Sequence, residues 1–117
     1  MPDYENAIYP ESKFKKYLLD EDNINKDAYT KARFFKALGY TKDNWEELKK
    51  QISEQLPFCE AISKGDKGYG ETFEVSMRFK GRNNTTAQII TAWIIDSKTG
   101  KPRIVTAYQD KKGNNDD

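Results

Sequence analysis

Histidine is absent from the 117 residues, and cysteine occurs once, at Cys59. Ser-His-Asp and Cys-His chemistry, histidine metal sites and the commonest general base are thereby excluded. What remains is chemistry by cations, phenols and hydroxyls. Arg78 and Lys80 stand on the polar side of an alternating segment, and Thr91, Arg103, Thr106 and Tyr108 follow in the next two apolar-rich segments. A Lys or Tyr with a lowered pKa moves protons, and Arg stabilises developing negative charge through paired N–H bonds. Each residue also has a structural reading. Arg78 and Lys80 make a solvated face, Thr91 and Thr106 are ordinary β-formers, Arg103 flanks a turn, and Tyr108 is an edge aromatic with its hydroxyl in water. Convergence on one sheet face would favour chemistry for all of them together.

The other reactive groups point elsewhere. Cys59 sits in the apolar run Leu56-Pro57-Phe58-Cys59, where a buried, inert thiol is expected. One cysteine also excludes an internal disulfide and a cysteine-based metal site. The helix-start carboxylates Asp43, Glu46 and Glu47 and the Asp20–Asp22 loop support neither paired-carboxylate glycoside hydrolysis nor a calcium loop, which needs Gly at its sixth position and a closing Glu. Gly65, Gly68 and Gly70 mark a connector that lacks the GK[ST] of a phosphate-binding loop. No cofactor and no metal site is expected.

The overall charge is +1, but its distribution is uneven. Residues 1–60 carry 10 basic and 12 acidic groups, whereas residues 61–108 carry 8 basic and 4 acidic. The second half can therefore hold an anionic substrate or simply present a solvated basic face. The hydrophobic fraction is low at 36%, yet aromatics make up 13%, enough for a compact core of one domain. No segment approaches the ~20 apolar residues of a membrane span, and the acidic start Met1-Pro2-Asp3-Tyr4-Glu5 is unlike a signal peptide. A cytoplasmic location is expected, with no membrane contact.

These residues need elements to position them. Residues 1–11 lack periodicity and read as an extended arm, 12–110 as a single α+β domain, and 111–117 as a polar, frayed tail. Ser12 caps a short predicted helix over 13–19, and a second spans about 26–38 with Ala28, Phe34, Phe35 and Leu38 inward and Gly39 closing it. Thr41 caps a third, with Trp45, Leu48, Ile52 and Leu56 as its apolar stripe and Pro57 as its stop. The period then changes to two. Residues 72–80 place Phe73, Val75, Met77 and Phe79 on one side and Glu74, Ser76, Arg78 and Lys80 on the other. Strands over 87–96 and 103–108 follow, and 60–63 reads as a weak first strand. Short turns make these strands antiparallel. The predicted fold is α+β, with two to three N-terminal helices packed on one face of a three- to four-stranded antiparallel β-meander.

Three stretches together carry a resemblance. They are Lys31-Ala32-Arg33-Phe34-Phe35-Lys36-Ala37-Leu38-Gly39-Tyr40 with Asn44-Trp45-Glu46-Glu47-Leu48, then 81–93, then Pro102-Arg103-Ile104-Val105-Thr106-Ala107-Tyr108. Over roughly 6–110 the chain resembles an uncharacterised domain at the C-termini of bacterial polymorphic toxins of LXG and contact-dependent type, found also in phage-related proteins. Its layout and closing Thr106-Ala107-Tyr108 are similar, at fold level, to the barnase–EndoU–colicin–RelE ribonuclease superfamily.

The resemblance implies a metal-independent ribonuclease, acting in the cytoplasm of a target cell and neutralised by a cognate immunity protein with an acidic surface. Cleaving RNA through its 2′-hydroxyl requires a base, a cation for the phosphorane-like charge and an acid for the leaving oxygen. RelE-like members supply these from Lys, Arg and Tyr; here the implied set is Arg78, Lys80, Thr91, Arg103, Thr106 and Tyr108. The sequence departs from the resembling pattern at Ile90, where relatives carry a basic residue before Thr-x-Trp. Either Arg78, Lys80 or Arg82 takes that role, or the domain is a non-enzymatic, phage- or mobile-element-related protein-binding module.

Overall fold

The computed structural model describes residues 1–81 and 84–110. Arg82 and the tail at 111–117 lie outside the described residues. Pro10, extended at φ −63°, leads into a helix that starts at Glu11. Ser12 therefore lies within the first turn of α1 (Glu11–Lys13) rather than capping it. That helix continues as a π-helical turn, Phe14–Leu18, in which the Leu19 N–H reaches back to the Phe14 carbonyl at 2.8 Å. The wider turn still buries both Phe14 and Leu18.

Asn25 caps α2 (Lys26–Ala37), its side-chain oxygen accepting from the N–H groups of Asp27 at 2.9 Å and Ala28 at 3.1 Å. The inward face of α2 is Ala28, Ala32 and Phe35, with Phe34 only half-buried. Gly39 ends it at φ 93°, a conformation that a residue with a Cβ rarely adopts, and the Tyr40 N–H returns to the Phe35 carbonyl at 2.9 Å. A 3-10 turn, Lys42–Asn44, precedes α3 (Trp45–Gln55). Asn44 ties this entry together, accepting from the Thr41 N–H at 2.7 Å and donating to the Gly39 carbonyl at 2.9 Å. Leu48, Ile52 and Leu56 are buried along one stripe, and Pro57 lies in the 3-10 turn Leu56–Phe58 that ends the helical half.

Four strands follow in spatial order β1-β2-β3-β4, each antiparallel to the next: β1 (Ala61–Asp66), β2 (Gly70–Lys80), β3 (Thr86–Asp96) and β4 (Pro102–Gln109). The architecture is thus α+β, helices first and an open antiparallel meander second. The glycine-marked connector is narrower than its composition suggests. Gly65 falls within β1 at a register shift and Gly70 opens β2, leaving a tight hairpin whose tip is pinned by the Asp66 carboxylate.

Phe73, Val75, Met77 and Phe79 of β2 share one face with Ile89 and Trp93 of β3 and Ile104 and Ala107 of β4. They pack with Phe14, Leu18, Phe35, Leu48, Ile52 and Leu56 into one core. Fully burying each large apolar side chain contributes roughly 1.5–3 kcal/mol, so this face fixes the orientation of β2, β3 and β4. The N-terminal segment closes one sheet edge: Ile8 pairs in parallel with Arg103, donating to the Pro102 carbonyl at 2.8 Å and accepting from the Ile104 N–H at 3.1 Å. The opposite edge strand, β1, is exposed along nearly its whole length. Among the described residues no helix is long and apolar enough to cross a membrane.

Candidate functional site

In an antiparallel ladder, directly paired residues project to the same side. The pairs Lys80–Thr86, Arg78–Gln88, Ile90–Tyr108, Ala92–Thr106 and Ile94–Arg103 therefore share the face turned away from the helices. Five sequence-predicted residues, Arg78, Lys80, Arg103, Thr106 and Tyr108, lie on this outward face. The sixth does not. Thr91 is fully buried on the core side, where its hydroxyl donates to the Val75 carbonyl at 3.0 Å and accepts from the Trp93 indole N–H at 2.8 Å. Both its hydrogen-bonding roles serve the core.

The five divide along the face. Thr106 and Tyr108 form the compact part, at the edge where α2 runs beside β4. Lys31 of α2 reaches over that edge. Its Nζ donates to Thr106 Oγ1 at 3.1 Å and to Tyr17 Oη at 3.5 Å, and lies 5.1 Å from the Tyr17 ring centre and 5.9 Å from that of Tyr108. Tyr17 belongs to the π-helical turn, a local geometry frequent at functional sites. Cation–π contacts of this kind hold a lysine in place while leaving its charge intact. A groove of about 310 Å³, lined by Asp27, Thr30, Lys31, Phe34, Tyr108 and Gln109, opens beside the cluster.

Burial pushes the Tyr108 phenol above its ordinary pKa, with the charges of Glu74 and Asp110 adding to the effect. A raised phenol stays protonated at neutral pH, so Tyr108 is suited to donating a proton and unsuited to acting as a base. The carboxylate on this face is Glu74, which pairs across the ladder with Ala92 in the row of Thr106 and lies 3.8 Å from Lys64. Cation, hydroxyl and phenol thus meet at one edge of the face, and the Glu74 carboxylate stands on the same face two strands over from Tyr108 and two residues along, on the order of 12 Å away by sheet geometry.

Arg78 lies two strands over from Tyr108 and two residues along, on the order of 12 Å away by sheet geometry. Lys80 is farther still, at the end of β2, where it lines a separate groove with Glu47, Lys50, Gln51 and Glu54 of α3. Arg103 lies towards the other end of the face, beside a groove of about 600 Å³. The cluster therefore joins two predicted residues, Thr106 and Tyr108, to two unpredicted ones, Lys31 and Tyr17, with Glu74 and Arg78 at equal offsets two strands over. Glu74 was legible, since the alternation of β2 already set it beside Arg78. Lys31 was not, because nothing local connects residue 31 to residue 106.

Among the described residues no group of three or more His, Cys, Asp or Glu side chains is arranged to hold a metal ion. Cys59 is half-buried, and its desolvation pushes the thiol above its ordinary pKa, which disfavours the nucleophilic thiolate.

The sequence pattern of the family described as Domain of unknown function (DUF6883) matches residues 1–111. Among solved structures, a chain of a contact-dependent growth inhibition toxin–immunity protein complex from Klebsiella pneumoniae 342 is similar, with a TM-score of 0.71 at 17% identity. The likeness covers 95% of this chain and 99% of that one, and at this identity it shows a common fold. Among curated proteins none matches.

Proposed function

The chain belongs to the DUF6883 family, and from that premise we propose that it is a toxin effector domain that cleaves RNA with its own side chains and is neutralised by a cognate immunity protein. The observation that carries the proposal is the 3.1 Å hydrogen bond from Lys31 Nζ to Thr106 Oγ1 beside the Tyr108 ring, on a face with Glu74, Arg78 and Arg103. The fold shared with a chain of a toxin–immunity complex supports the toxin context.

In this reading Glu74 accepts the proton of the RNA 2′-hydroxyl as that oxygen attacks the adjacent phosphorus. The bond from phosphorus to the 5′-oxygen breaks, and Tyr108 donates its proton to that leaving oxygen. Lys31, held by Thr106 and Tyr17, stabilises the added negative charge on the phosphoryl oxygens. Arg78 binds a flanking phosphate. The products are a 2′,3′-cyclic phosphate and a 5′-hydroxyl, and solvent restores the proton on Tyr108 and removes the one on Glu74. DNA, lacking the attacking hydroxyl, is left intact.

The test is incubation of the purified protein with end-labelled RNA and the matching DNA. Cleavage of the RNA alone, lost in Lys31→Ala and Tyr108→Phe proteins that remain folded, is the expected result. A binding-only reading has its own observation: β1 is an open edge with Ile62 52% exposed and, just before it, Phe58 88% exposed, a surface on which a partner strand can add. Intact RNA together with a stable protein complex would favour that reading.

A further inference from the structure

Arg103 lies apart from the Lys31–Thr106–Tyr108 cluster, and its surroundings have a different character. The tip of the β1–β2 hairpin and the β3–β4 hairpin bound a groove of about 600 Å³ lined by Tyr69, Ile94, Asp96, Lys98, Arg103 and Val105, among others. Ile94 and Val105 give it an apolar floor, and Arg103 and Lys98 bring two positive charges against the one negative charge of Asp96. Tyr69 stands over it 77% exposed.

An exposed tyrosine on a mobile tip would need no explanation, but this backbone is held at several points. Asp66 accepts from the N–H groups of Gly68 at 2.7 Å and Gly70 at 3.3 Å, and the Tyr69 carbonyl accepts from the Ser97 N–H at 3.5 Å. Gly70 has φ +135°, and a Cβ there would meet the Ile95 carbonyl oxygen at 2.1 Å. The absence of a side chain at residue 70 is what lets the tip press against β3. The backbone thus presents the exposed Tyr69 side chain from a fixed base. Across the groove, the register shift between Ala92 and Trp93 leaves Val105 without a partner on β3, so that β4 bends between Arg103 and Thr106. Groove and cluster are consecutive along the same face of one strand.

We infer that this groove is a subsite for single-stranded RNA: one nucleobase stacks on Tyr69 over Ile94 and Val105, and Arg103 and Lys98 take the phosphate next to it. Aromatic stacking beside cations is how sequence-tolerant proteins hold single strands, because every base has a π-face. An RNA strand running along β4 would meet Arg103 first and the Lys31–Thr106 cluster next, which places the stacked base beside the cleaved bond rather than at it. The subsite rests on the ribonuclease reading, and the two are separable by experiment.

The probe is a fluorescein-labelled RNA about 12 nucleotides long, within the range of one single-strand site, with every 2′-hydroxyl methylated so that it binds without being cut. Its affinity is read by fluorescence anisotropy for the wild-type chain and for Tyr69→Ala and Tyr69→Trp, with circular dichroism confirming the fold. Tyr69→Ala is expected to weaken binding about tenfold, Tyr69→Trp to retain it, and cleavage of unmodified RNA by Tyr69→Ala to show a raised KM with kcat little changed. Wild-type cleavage with no loss of affinity in Tyr69→Ala overturns the subsite and leaves the ribonuclease reading standing. No RNA binding or cleavage by the wild-type chain overturns both. Unchanged RNA affinity with lost binding of a protein partner assigns the groove to protein recognition and overturns the subsite as well.

Discussion

Lys31 of α2 and Thr106 of β4, 75 positions apart in the chain, meet through a 3.1 Å hydrogen bond from Nζ to Oγ1. The contact joins the helical half of the domain to its sheet at the edge where Tyr17 and Tyr108 flank the same ammonium group. Lys31→Ala and Tyr108→Phe are each expected to lower RNA cleavage about 10²–10³-fold. Thr106→Val, which frees the lysine without removing it, should lower it less, by roughly tenfold. Single-turnover kinetics on proteins with unchanged circular dichroism would check all three.

Thr91 should behave oppositely. Its hydroxyl accepts from the Trp93 indole and donates to the Val75 carbonyl inside the core. Thr91→Val keeps the shape but strands a buried indole N–H, at about 1–3 kcal/mol. The expected outcome is a lower denaturation midpoint with the same slope, and unchanged cleavage per folded molecule. Urea titration beside the cleavage assay measures both.

The alternation of residues 72–80 was enough to place Arg78, Lys80 and Glu74 on one face, because a strand offers only two sides. The meander was legible for a similar reason: short turns between consecutive strands leave antiparallel pairing as the ready solution. Thr91 shows where this stops. Its neighbours Ile89, Ile90, Trp93, Ile94 and Ile95 are apolar on both sides, so the pattern does not say which face points inward. Pairing with Val75 and Phe73 on the inward row of β2 puts Thr91 and Trp93 on the core side. The first strand runs past its sequence signal because Ser63, Lys64, Gly65 and Asp66 are loop-like by composition and pairing with β2 makes them strand. Lys31 was beyond reach, since a contact across 75 positions leaves no periodic trace in the chain.

Tyr9 gives a pH dependence of stability. Burial against Trp93, whose ring it meets edge-on at 5.5 Å, pushes its phenol up to about 12. The folded state therefore holds this proton more tightly than the unfolded chain, whose phenol titrates near 10. The contribution is complete below pH 10 and is lost as pH rises through 12. Tyr9→Phe, which has no proton to lose, is expected to flatten the alkaline fall in melting temperature between pH 10 and 12, as thermal melts in that window would show.

Electrostatics should govern neutralisation. A partner that covers the outward face meets Arg78, Arg103, Lys64 and Lys31, so an acidic immunity surface is expected. Its affinity should fall as salt rises, and Arg78→Glu should slow association more than it speeds dissociation. Surface plasmon resonance across a salt series, with the partner then tested as an inhibitor of RNA cleavage, measures both effects.

The most direct measurement is the chemistry of the cut ends. The purified chain is incubated with 5′-labelled RNA in the presence of a metal chelator, beside Lys31→Ala and the same oligonucleotide as DNA, and the products are resolved by mass spectrometry. RNA fragments ending in 2′,3′-cyclic phosphate, absent from the DNA and Lys31→Ala reactions, are the expected result. RNA left intact by the wild-type chain, or cut equally fast by Lys31→Ala, would contradict the assignment of catalysis to the Lys31–Thr106–Tyr108 cluster.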